Sequence, residues 1–292
     1  MAIAPVWSRV GKSPMTFSTR AIVSAAFLVA PLFTVATPAK AGIGDLLVAP
    51  TRIVLDGRRG AEVVLNNIGE EPATYRISVE FRRMTADGSL EDVSVPTATD
   101  KTAADMIIYA PRRVTLAPHE PQAIRIAARP PQGLPDGEYR IHMLFRAIPP
   151  ATPVVQPAAA TTEEKGLRFQ LTPIYGVTIP VIVRLGNLQA TAGIANVHLE
   201  KTKDGGSAVA LDLTRSGSRS TFGEVRVLKA GVKAPIALQK AVAVYTEINS
   251  RHVSVPLSPE FKGDASGPVT VQYVETYDDG SHVIAETQTV LR

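Results

Sequence analysis

The stretch Leu167–Arg184 (LRFQLTPIYGVTIPVIVR) constrains this chain most, because one of its two parities is apolar over an unusual length. Leu167, Phe169, Leu171, Tyr175, Val177, Ile179, Val181 and Val183 share that parity, which only Pro173 interrupts. Arg168, Gln170, Thr172, Ile174, Gly176, Thr178, Pro180, Ile182 and Arg184 make up the other. A repeat of two over such a span marks a β-strand, whose successive side chains point to opposite faces. Pro173 and Pro180 lack the N–H that a central strand needs, so the run is expected at a sheet edge. Their opposite parity predicts a bulge or break near one of them. A long apolar edge invites pairing with another chain.

The N-terminus reads as a leader. Ala21–Val35 is apolar, basic residues precede it, and Ala39-Lys40-Ala41 has the small-x-small form of a cleavage site. Residues 1–41 are expected to be a secretory signal peptide cut before Gly42. The apolar core carries Pro31 and falls short of the roughly 20 residues of a membrane helix. Arg9, Lys12, Arg20 and Lys40 leave with the leader, and 27 basic residues then face 27 acidic ones. A formally neutral mature chain gives no argument for nucleic-acid or membrane-surface binding.

No cysteine is present, which excludes disulfide frameworks and thiolate metal sites. An exported chain of this kind suits a bacterial periplasm. About 250 mature residues can supply one large core or two medium ones. Short runs rich in valine, isoleucine and threonine, bounded by turn residues, follow one another from Leu46 to Leu291. No clean 3.6-residue period of 12 or more residues interrupts them. Strands at this spacing predict an all-β protein built from sandwiches. Pro149–Lys165 (PPATPVVQPAAATTEEK) reads as a loop before the long strand. The domain boundary is expected at Leu185-Gly186-Asn187, giving a sandwich over 42–184, closed by the strand at 167–184, and a second over 185–292. Seven strand candidates in the second make it immunoglobulin-sized.

No constellation of catalytic residues stands out. His119, His142, His198, His252 and His282 are scattered, with no pair at metal-ligand spacing. Neither a Gly-x-Ser-x-Gly elbow nor a phosphate loop occurs. Asp278-Asp279-Gly280 reads as a hairpin turn. The chain is expected to be a non-enzyme without metal or cofactor.

Local sequence over most of the first domain resembles the periplasmic chaperones of the chaperone–usher pilus pathway. Pro50-Thr51-Arg52-Ile53-Val54-Leu55-Asp56-Gly57 is similar to that family's first strand. Arg113-Val114-Thr115-Leu116-Ala117-Pro118 is similar to its arginine-x-leucine-x-proline turn, and Arg146-Ala147-Ile148-Pro149-Pro150 to a strand end of the form Arg-Glu-Ile-Pro-Pro. With the long apolar strand, four elements occur in the family's order. The resemblance implies two immunoglobulin-like sandwiches set at an angle, and clients that are pilus or fimbrial subunits lacking their last strand. It implies donation of the edge strand to such a client, and delivery to an outer-membrane usher without a nucleotide. Backbone ladder bonds would supply sequence-tolerant affinity, and alternate side chains would fill the client's pockets.

By position, the resemblance makes Arg52 the anchor for a client carboxylate. Phe169, Leu171, Tyr175 and Val177 would be the donated side chains, with packing in the domain's own core as the alternative for each of them, Val177 above all. Glu138, Arg184 and an acidic residue near Thr276, taken as Glu275, would form a cluster that fixes the interdomain angle. The chain departs from the family pattern at Pro180, where a lysine is expected, leaving Arg112, Arg113 or Arg168 as substitutes, or a client held without a gripped terminus. It also lacks the cysteine pair of many long-loop members, which implies a divergent branch. Self-capping as a dimer would hide the edge in the client's absence. The competing reading is an exported two-sandwich binding module without chaperone activity.

Overall fold

The computed structural model describes residues 45–149, 174–277 and 280–292. The leader, the loop from 150, and Phe169 and Leu171 lie outside them. Among the described residues no helix is long and apolar enough to cross a membrane.

Prolines divide the first domain's strands. Pro50 separates β1 (Leu46–Ala49) from β2 (Ile53–Leu55), so a run that reads as one strand serves two sheets. Pro111 likewise splits β7 (Ile107–Ala110) from β8 (Arg113–Leu116). With β3 (Ala61–Asn67), β4 (Ala73–Glu80), β9 (Pro121–Ala128), β10 (Gly137–Ile148) and β11 (Gly176–Leu185), these build sheets of order β1-β3-β9-β7 and β2-β11-β10-β4-β8. The inner faces carry Val63, Leu65, Ile124 and Ile126 from one sheet against Tyr75, Ile141, Met143, Phe145 and Val181 from the other. Each such side chain contributes roughly 1.5–3 kcal/mol on burial, so alternate residues hold the register.

Two smaller elements complete this domain. A hairpin of β5 (Arg82–Met84) and β6 (Leu90–Asp92) turns at Gly88. One short helix, α1 (Ala98–Asp105), starts at a capping box in which Thr97 Oγ1 accepts from Asp100 N–H and Asp100 accepts from Thr97 N–H. Its length falls below what hydrophobic periodicity can reveal, and the cap is its only local signal.

Beyond Leu185 the chain enters the second sandwich. Its strands are β12 (Ala190–Lys201), β13 (Ser207–Gly217), β14 (Thr221–Lys229), β15 (Ala237–Val244), β16 (Ser250–Pro256), β17 (Gly267–Tyr277) and β18 (Gly280–Leu291). They form sheets β12-β13-β16 and β15-β14-β17-β18 around Val209, Leu211, Val225, Val227, Val271 and Tyr273. A third, small cluster of Met84, Ile182, Ala243 and Tyr245 joins the two sandwiches.

Candidate functional site: an open strand edge beside a buried charged joint

The site starts from the hydrogen-bond parity of β11. Ala147 N–H donates to Tyr175 O at 2.9 Å, which makes Tyr175 and Ala147 a hydrogen-bonded pair of the antiparallel ladder with β10. Such pairs alternate, so Val177, Ile179, Val181 and Val183 also direct their backbone groups to β10. The even residues Gly176, Thr178, Pro180, Ile182 and Arg184 direct theirs to the opposite side. There β2 runs parallel, but only along Val181–Val183, which stand opposite Ile53–Leu55. Among the described residues, Gly176 to Pro180 meets no strand on that side.

The missing donor of Pro180 therefore points to the open side and breaks no bond to β10. The pairing runs in unbroken register from Gly176↔Arg146 to Leu185↔Gly137, without a bulge at Pro180. Pro173, the other position where a bulge or break is expected, lies outside the described residues. The edge offers N–H groups at Gly176 and Thr178 and carbonyls up to Pro180. Its apolar parity turns into the domain's own core: Ile179, Val181 and Val183 are buried, and Val177 is partly buried against them. Tyr175 lies beyond the core and is 51% exposed, and Ile174 is 46% exposed.

The even side chains of β10 and β11 occupy the outer face, which the second sandwich covers at one end. Glu138 and Arg184 stand opposite each other, with Arg184 Nε donating to Glu138 Oε2 at 3.0 Å. Ser220 of the second domain donates to the same oxygen from its N–H and its Oγ, both at 2.9 Å. Ser220 O accepts from Arg184 Nη2 at 3.0 Å and from Arg219 Nη1 at 3.1 Å. Arg219 grips Glu275 with both terminal nitrogens, each at 3.0 Å, and Phe222 N–H donates to Glu275 at 3.3 Å. Glu138 and Arg184 are thus brought together directly, whereas Glu275 reaches them through Arg219 and Ser220. Ser220 is fully buried. A serine between two polar residues carries no pattern that marks it as the centre of this joint.

Arg52 enters the same joint from the segment between β1 and β2. Its Nη2 donates to Ser220 Oγ at 3.4 Å and its guanidinium stacks over the Phe222 ring at 4.5 Å. Burial, then the charge of Arg184, lower its pKa, against the opposing influence of Tyr245, Glu138 and Glu275. Arg52 Nη1 and Glu138 Oε1 are buried without a hydrogen-bond partner among the described residues. Of the substitutes for a lysine at Pro180, Arg112 stacks on the Tyr109 ring at 5.1 Å, and Arg113 stands on β8, at the far edge of the sheet from β2. Neither adjoins Arg52 in the strand order. Arg168 lies outside the described residues.

A second ionic contact lies along the same face. Arg140 donates to both carboxylate oxygens of Glu247 and stacks over Tyr245 at 3.8 Å. Burial alone would raise the pKa of Glu247, but the hydrogen bond and charge of Arg140, with the Met84 N–H at 2.8 Å, hold it below the usual carboxylate range. His142, opposite Pro180, is buried edge-on to Tyr245 with neither ring nitrogen bonded. Burial, then Arg140 and Arg82, push its pKa down to about 3.

Arg215 holds both loops that meet the first domain. Its guanidinium donates to Gly217 O at 2.8 Å and Arg219 O at 3.1 Å in one, and to Thr246 O at 3.3 Å and Ile248 O at 3.4 Å in the other. The residues that present Ser220 and Glu247 are thereby fixed to one buried side chain. Elsewhere, no group of three or more His, Asp or Glu among the described residues could hold a metal ion.

No family model and no curated protein matches this sequence. Solved structures that match its chain course include chaperones, some of them described with fimbriae, pili or a pilin. The YadV chaperone is 14% identical over 85% of this chain and 100% of its own, with a TM-score of 0.42. The Pseudomonas aeruginosa CupB2 chaperone is 12% identical over 84% and 100%, also at 0.42. A structure of Salmonella enterica SafA pilin in complex with the SafB chaperone matches at 16% identity over 87% and 99%, again at 0.42. At these scores no residue's role transfers by likeness.

Proposed function

We propose that this chain is a periplasmic chaperone that binds incomplete immunoglobulin-like pilus or fimbrial subunits by donor-strand complementation and delivers them to an outer-membrane usher. The observation that carries the reading is the edge of β11, open from Gly176 to Pro180, which Phe169, Leu171 and Tyr175 precede in the sequence. A client strand would take the N–H of Gly176 and Thr178 and the outward carbonyls, while Phe169, Leu171 and Tyr175 fill its groove. Val177 would serve at the boundary between the two cores. Arg52 would receive the client's terminal carboxylate, its Nη1 being unpaired and shielded. The Glu138, Arg184 and Glu275 network would set how the second sandwich stands over the first, with Ser220 and Arg219 as its links. Residues 1–41 would export the chain and be removed.

Co-purification from periplasm, with mass spectrometry of bound proteins, tests this reading. The native chain should carry a small β-rich partner that is lost on Leu171→Asp combined with Tyr175→Asp. A partner retained undiminished by those charges contradicts strand donation.

A further inference from the structure

The outer face of the first domain carries a row of charge that its own fold does not use. Arg113 of β8 stands opposite Arg76 of β4, Arg76 opposite Arg146 of β10, and Arg146 opposite Gly176 of β11. Three arginines thus lie side by side across neighbouring strands, all exposed. Like charges directly opposite destabilise a sheet, the more so where side chains come closest. By the bonding parity, Arg113–Arg76 and Arg146–Gly176 are non-hydrogen-bonded pairs, the closer kind. None of the three arginines has an ion-pair partner among the described residues. Glu80, the acid on the same strand face, is bonded to Arg82 at 3.0 Å. The row borders a concavity of about 520 Å³ lined by Arg76, Ser78, Leu144, Arg146, Ile148 and Ile174.

The row ends on a glycine at the open edge. A glycine inside a strand lowers its stability and marks a place where another backbone or side chain comes close. A Cβ on Gly176 would already sit 3.0 Å from Leu144 Cδ1. Neighbouring strands lie about 4.8 Å apart, so a strand added to this edge would hold its residue opposite Gly176 roughly 10 Å from the Arg146 backbone. A fully extended arginine and a short acidic side chain together span that gap, and glycine leaves the path between them low.

We propose that this arginine row reads a carboxylate side chain on the strand that joins the open edge, at the position opposite Gly176. The inference rests on the strand-addition reading and adds a register and a preferred client residue to it. Arg146 makes the contact, and Arg76 and Arg113 raise the local positive potential behind it. The row differs from Arg52 in place and in target, because it faces a side chain in mid-strand and not a chain terminus.

The test uses the mature protein and fluorescent dodecapeptides of alternating valine and serine, each with one glutamate stepped along the serine positions. Matched peptides carry glutamine instead. Anisotropy should show one glutamate position binding tighter than its glutamine match by roughly threefold to fivefold, as an exposed charge pair allows. Arg146→Gln should abolish that preference while leaving the glutamine peptides unchanged. Equal binding of glutamate and glutamine peptides overturns the row's role and leaves strand addition standing. Preference for glutamate at every position marks a general polyanion surface and also overturns it. Binding of no peptide, with the native chain still capturing no β-rich partner from periplasm, removes the strand-addition reading and this inference with it.

Discussion

Arg215 and Ser220 show how the joint between the sandwiches is built from residues that have no signature in the sequence. Arg52, Glu138 and Arg184 could be picked out from local resemblance. Ser220 could not, because its role depends on a loop that Arg215 holds from beneath. Replacing Arg215 by Met leaves several part-buried carbonyls without their donor, and each such loss costs up to about 1–3 kcal/mol. Arg215→Met should therefore lower the urea midpoint of the second domain and weaken partner capture together. Arg184→Ala should leave both sandwiches folded by circular dichroism but reduce capture, since it removes one link of a network that orients more than it stabilises. Capture at the native level would discredit the orienting role of that network.

His142 gives a prediction about pH. Its folded pKa of about 3 lies below the unfolded value of 6.5, so the unfolded chain binds the proton first as pH falls. Its contribution to stability is complete above pH 6.5 and is lost as pH falls from there toward 3. Linkage puts the loss at about 2 kcal/mol by pH 5. Urea unfolding at pH 7.5 and pH 5 should show that loss in the native chain and a smaller one in His142→Gln. Arg140, Arg82, Arg83 and Glu247 surround the ring, so the comparison holds them constant. Equal losses in both proteins would contradict the assignment.

Among the elements, β11 shows most clearly what a sequence can and cannot reveal. Its period of two announces a strand, and its prolines announce an edge. The side on which each proline's missing donor falls depends on pairing with β10, which no local pattern contains. Once Ala147 is seen bonded to Tyr175, Pro180 faces the open side and needs no bulge. The same parity predicts opposite outcomes for neighbouring substitutions. Thr178→Pro removes an outward N–H and should change stability by less than about 1 kcal/mol, while lowering partner capture. Val177→Pro removes a bond to β10 and should destabilise the first domain by about 1–3 kcal/mol more. Thermal unfolding of the two variants side by side distinguishes them, and equal destabilisation would contradict the parity.

For the whole molecule, turn residues and alternating apolar runs made two sandwiches legible, because each strand's buried face repeats within its own few residues. Strand order was less so. The runs at 46–55 and 107–114 each read as one strand and are two, since Pro50 and Pro111 let the chain cross between sheets. The joint between the sandwiches was legible only in part, through Glu138 and Arg184. Its remaining contacts join residues as distant as Arg140 and Glu247, or the backbone of Ala86 and His252.

Residue-resolved amide exchange by NMR, on the dilute protein alone and with its captured client, tests the account where it is most exposed. Thr178 and Gly176 N–H should exchange rapidly alone and slow strongly in the complex, whereas Val177 and Ile179, already bonded to β10, should be slow in both. Protection of Thr178 in the isolated monomer, or its unaltered exchange in the complex, would mean that this margin completes no other sheet.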